Sequence, residues 1–145
     1  MRQIPDLMMC LGQVSEATVR QIRKTVEDPP RVSVLDAIAL ITGHSPTVCS
    51  HTLQHLKEAY PEVGHLLSNF RFTGRGQRDT PVADVRGIVE IIMVLPGRAA
   101  AQMRKVAANV MVRYLGGDLS LVDEVAANRL SQEQLDEDEL LSRKP

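Results

Sequence analysis

Proline and glycine cut this chain at short intervals, and that punctuation limits it to short packed elements. Asp28-Pro29-Pro30, Gly43 followed by Ser45-Pro46, Pro61, Thr80-Pro81, Pro96-Gly97 and Gly116-Gly117 each read as the stop of one helix or the start of the next. Proline removes a backbone donor and clashes with the preceding turn, and glycine supplies the left-handed residue that closes a helix. The pieces between these breaks have the length of ordinary globular helices. At 145 residues the chain fits one domain with a real core. The apolar run "IVEIIMVL" has eight residues and contains Glu90, so it is too short to span a membrane.

Residues 1–30 read as an N-terminal helical extension. Ile4, Leu7, Met8 and Leu11 lie at helical spacing before Gly12, and Ser15 caps a second stripe of Val19, Ile22 and Val26. Residues 31–130 read as the globular domain. Val32 and Val34 alternate briefly, then Leu35, Ile38, Ala39 and Thr42 fall on one helical side before Gly43. Ser45-Pro46 starts a helix whose Cys49, Leu53, Leu56 and Tyr60 face one way. "SNFRFTGRGQRDTP" is the hairpin candidate, with Phe70 and Phe72 on one face, Arg71 on the other, and Gly74 and Gly76 at the turn. Thr80-Pro81 then reads as a cap and first helical residue. "VADVRGIVEIIMVL" follows as a buried helix, its β-branched content leaving a strand open.

In "RAAAQMRKVAANVMVRYLGGD", Met103, Val106, Ala107, Val110 and Tyr114 form an apolar stripe. Arg98, Gln102, Lys105, Asn109 and Arg113 form a polar one. Ser120 and Asp123 are spaced like a capping box. Residues 131–145 are an acidic tail, disordered or the start of a coil. The expected fold is α+β: a mainly helical single domain with a small antiparallel β-hairpin or sheet.

Net charge is -1, yet its distribution is uneven. Residues 69–115 hold 8 Lys/Arg against 3 Asp/Glu, and residues 116–145 hold 3 against 8, so a basic middle is masked by an acidic end. The two cysteines, Cys10 and Cys49, lack zinc or redox spacing and suit a reducing compartment. With no secretory leader pattern, the expected location is intracellular, nuclear or cytoplasmic, with no membrane partner.

Most catalytic and cofactor chemistries find no footing. "GRGQRD" has Asp79 where the dinucleotide fingerprint needs its third glycine, and a carboxylate there repels pyrophosphate. His51 and His55 are four apart, but "HTLQH" lacks the glutamate of the zinc-protease pattern, which leaves two solvated or partly packed histidines as the plain alternative. No G-x-S-x-G is present, and Asp36, Asp84 and Glu90 share no acid/base signature. The expectation is therefore no catalytic residue, no metal, no cofactor, no small-molecule substrate and no enzyme.

Double-stranded DNA is the expected partner. "LDAIALITGHSPTVCSHTLQ" holds two short helices around a glycine turn, with Ala39 and Gly43 spaced as in a helix-turn-helix. His44, Cys49 and Thr52 occupy positions usually more apolar in that motif. The second helix would present Ser45, Thr47, Ser50, His51, Gln54 and Lys57 to base edges and phosphates. Arg71, Arg75 and Arg78 on the hairpin would add phosphate contacts, and Arg98, Lys105 and Arg113 form a secondary basic face. An aromatic content of 3% argues against single-strand recognition by stacking. The alternative is a protein-interaction or self-assembly domain without DNA binding, motivated by Leu135, Leu140 and Leu141 in the tail.

Residues 31 to about 117 resemble the BRO-N and KilA-N group of domains, found in phage antirepressors and large DNA viruses. "VSVLDAIALITG" matches their short strand and helix, "HSPTVCSHTLQHL" their second helix, and a hairpin follows in the same order. "VRGIVEIIMVLPG" is similar to the family's Gly-containing apolar helix, and "RAAAQMRKVAANVMVRYLGG" to its last helix. The family's aromatic residue in that last helix is absent where Val106 or Ala107 stands, and so is a proline near its end. "TPVADVRGIVEIIMVLPGRAAA" also resembles a domain of algal proteins of unknown role. The resemblance implies a regulatory α+β DNA-binding module without catalysis, usually joined to a variable C-terminal domain.

Overall fold

A three-stranded sheet and six helices make up the described part of the chain. The computed structural model describes residues 22–27, 29–73 and 78–142. In chain order the elements are β1 (Val32–Ser33), α1 (Val34–Thr42), α2 (Pro46–Ala59), α3 (Glu62–His65), β2 (Ser68–Arg71), β3 (Asp79–Ala83), α4 (Val85–Val94), α5 (Arg98–Leu115) and α6 (Ser120–Ser142). The mainly helical α+β expectation is met.

Local signals set most helix ends. The Ser33 hydroxyl accepts from the Asp36 N–H and opens α1, and Gly43 at φ 74° closes it. Ser45 and Pro46 open α2 as their types require. α5 ends on Gly117 at φ 72°, with the Asp118 N–H bonded to the Arg113 carbonyl and the Gly117 N–H to that of Tyr114. This is a Schellman closure.

Two expectations fail where sheet pairing overrides local pattern. Thr80 and Pro81 start no helix; both lie in β3, and Asp84 caps α4 by accepting from the Gly87 N–H at 2.9 Å. The strand order is β1-β3-β2, both pairs antiparallel, with Asn69 opposite Pro81 and Arg71 opposite Asp79. β1 reaches only Val82 and Ala83. Pro81 therefore sits where β3 has one strand neighbour, the setting in which a missing N–H is tolerated.

Residues 22–27 are likewise not helical. Lys24 bridges Val32, and the Ser33 N–H donates to the Arg23 carbonyl, so this segment lies along β1. The rest of the expected N-terminal helices lies outside the described residues. So do Gly74, Arg75 and Gly76.

The core gathers Val34, Ala37 and Ile38 of α1, Cys49, Leu53 and Leu56 of α2, Ile88, Ile91 and Ile92 of α4, and Ala100 and Met103 of α5. The reading of α4 as a buried helix holds. Gly87 lets α4 approach the sheet: a β-carbon there would sit 2.9 Å from the Ala83 β-carbon. The expected stripe on α5 is buried only at its start. Val106 is packed on the core, but Tyr114 is exposed, because the core does not extend to the far end of that helix.

α6 crosses residue 130 without a break and runs to Ser142. Its entrance is set by Asp118 rather than by a Ser120–Asp123 box. The Asp118 carboxylate accepts from the Ser120 hydroxyl at 2.6 Å, the Ser120 N–H at 2.9 Å and the Arg113 guanidinium at 2.9 Å. The Ser120 hydroxyl first, then Arg113, hold the Asp118 carboxyl at about 2, below its ordinary value. A depressed folded value means this turn gains support above the ordinary carboxylate range, lost as pH falls through about 2. Ser120→Ala is expected to raise the Asp118 midpoint toward 3.8 in an NMR carboxyl titration. An unmoved midpoint would contradict the hydroxyl's role.

Candidate nucleic-acid interface

α2 is amphipathic. Cys49, Leu53 and Leu56 point into the core, which leaves Thr47, Ser50, His51, Gln54 and Lys57 on the outer side, all exposed. The β2–β3 hairpin rises beside this face. Between them lies a groove of about 870 Å³, lined by those five side chains together with Asn69, Phe72, Thr73 and Arg78. Apolar Leu35, Leu53 and Leu67 and the carboxylate of Asp79 also line it.

The hairpin's aromatics are held by arginines from the segment beside β1. The Phe70 and Phe72 rings meet edge to face with centroids 4.9 Å apart. The Arg23 guanidinium lies 5.1 Å from the Phe72 centroid, and that of Arg31 lies 5.9 Å from Phe70. Such cation–π contacts contribute roughly 0.5–1 kcal/mol where exposed. Arg23 is fixed by a two-pronged bond to Asp36 at 2.8 and 3.0 Å, and it enters the groove.

Charge in the groove is unevenly compensated. Lys57 and Arg78 have no carboxylate within ion-pair distance among the described residues. Arg71 faces Asp79 at 3.5 Å and does not line the groove; both side chains are nearly two-thirds exposed. Exposed pairs of this kind contribute about 0–1 kcal/mol, so Arg71 keeps some capacity for another anion. Of the nine DNA-facing residues expected from the sequence, Thr47, Ser50, His51, Gln54, Lys57 and Arg78 come together here.

No family model, curated protein or solved structure matches this chain.

The remaining expected residues lie elsewhere. Ser45 is committed to capping α2, where its hydroxyl accepts from the Val48 N–H. Arg75 is outside the described residues. Arg98 and Lys105 are exposed on α5, away from the groove. Arg113 is held by Asp118 at 2.9 Å and Glu124 at 2.7 Å, so its charge serves the α5–α6 turn. Arg23 and Asn69 are groove residues that sequence reading missed. Arg23 is tied to Asp36 thirteen positions away, which no local signal announces.

Other chemistries find little in the described residues. No group of three or more His, Cys, Asp or Glu is placed to hold a metal ion. Cys49 is fully buried, and desolvation pushes its thiol up, so it presents no thiolate. No described helix is long and apolar enough to cross a membrane.

Proposed function

We propose that this chain is a double-stranded DNA-binding module with a regulatory, non-catalytic role. In this reading α2 presents its outer face to base edges, and Lys57 and Arg78 straddle the groove to hold phosphates. The observation that carries it is the convergence of one helix's hydroxyl, imidazole, amide and ammonium groups with a hairpin arginine on one open groove. Thr, Ser, His and Gln supply the donors and acceptors that distinguish base pairs in the major groove. Lys57 and Arg78, without an ion pair among the described residues, supply the sequence-independent attraction. The order of elements, which resembles that of BRO-N and KilA-N domains, points the same way.

Duplex binding measured by fluorescence anisotropy is expected at ~50 mM salt and to weaken steeply as salt rises. Two phosphate contacts predict a log–log slope of about -2 or steeper, from roughly -0.9 per neutralised phosphate. Absence of binding at the low-salt end, or an affinity indifferent to salt, would overturn the reading.

A further inference from the structure

We propose that two copies of this chain associate by exchanging α6, so that α6 of each copy lies antiparallel on α5 of the other. The first support is uncovered apolar surface. Met111, Val112 and Leu115 at the end of α5, and Leu119, Val122 and Val125 at the start of α6, are 63% to 81% exposed. Large apolar side chains gathered and uncovered at one turn mark an interaction surface.

The second support is the state of α6 itself. It has 23 residues, about 34 Å at 1.5 Å per residue, and its main contact with the body is at the turn from α5. A helix in water gains most of its stability from a packed face, and α6 has little of one within its own chain.

The third support is charge. α5 has no acid and leaves Arg98 and Lys105 exposed, while Arg104 is bonded to the Ile92 and Leu95 carbonyls and Arg113 to the turn of its own chain; α6 carries seven Asp/Glu and one arginine. Two α6 helices side by side would repel. α6 set antiparallel on α5 matches apolar end with apolar end and the acidic half with the basic half. A hairpin closing within one chain would satisfy the same pattern. Within this chain the Gly117 closure, the Asp118–Ser120 bonds and the Arg113–Glu124 ion pair join α6 to α5 at the turn, and little further contact between the two helices follows. A second copy satisfies both requirements, and twofold symmetry makes the contact twice.

Sedimentation equilibrium of the full chain tests this independently of DNA. A dimer is expected at ~100 µM protein, well above the roughly micromolar weak end for interfaces of ordinary size. Leu115→Glu with Val122→Glu, both exposed positions, is expected to weaken it at least a hundredfold while the core keeps its cooperative thermal unfolding and α6 alone loses helicity. Arg98→Glu and Glu137→Arg, placed opposite one another by the antiparallel register, should each weaken self-association. An equimolar mixture of those two variants should restore it, because the mixed dimer repairs both contacts. A wild-type monomer at that concentration, a dimer that survives the double glutamate change, or a mixture no tighter than either variant alone would each overturn the proposal.

Discussion

Replacing Lys57 and Arg78 together with alanine is expected to lower duplex affinity about 60-fold at ~0.1 M salt, with the fold intact. The size follows from counterion release. A contact contributing -0.9 to the log–log slope is worth a factor of about 8 at that salt, and two contacts multiply. Both side chains are exposed and neither supports an ion pair among the described residues, so their removal leaves the core untouched. The salt slope should fall by about 2 in the double variant. Two controls locate the surface. Arg71→Ala should have a smaller effect, because Asp79 already shares its charge. Lys105→Ala should leave affinity nearly unchanged, because it lies off the groove. If Lys105→Ala weakens binding as much as Arg78→Ala does, DNA lies on α5 and the groove reading is lost.

The elements readable from sequence are those fixed by chemistry within a few residues. Ser45-Pro46 opened a helix and Gly43 closed one, because capping and left-handed backbone are local requirements. Thr80-Pro81 carries the same kind of signal and means something else, since β3 is held by its hairpin partner Ser68–Arg71 and by Val32–Ser33, far back in the chain. Residues 22–27 show the same limit: the pairing of Lys24 with Val32 cannot be read from helical spacing. Periodicity identified the outer face of α2, because burial of Cys49, Leu53 and Leu56 leaves the other side to solvent. It could not show that the hairpin stands over that face and makes a groove of it. Nor could it show that the apolar stripe of α5 outruns its own core at Tyr114, because a stripe says which side seeks a partner and not whether one is present.

The same distinction predicts the largest stability effects. Ile88→Ala is expected to destabilise the fold by about 3 kcal/mol, the middle of the range for emptying a fully packed site. Ile88 is 2% exposed and belongs to the cluster joining α1, α2 and α4. For a chain of this size that is a melting temperature lower by roughly 10 °C. Gly87→Ala gives the more discriminating result. Helix propensity alone favours alanine by about 1 kcal/mol. Against that, the new β-carbon would stand 2.9 Å from that of Ala83 and 3.5 Å from that of Leu66, and Ala83 is itself buried and cannot turn aside. Overpacking of this kind costs about 1–3 kcal/mol, so a net loss is expected. β3 then shifts against α4, and because β3 follows directly on Arg78, duplex affinity should fall alongside stability. Thermal denaturation decides the sign: a variant melting above the wild type would mean that α4 does not press on β3 at Gly87, and that propensity, not packing, governs this helix.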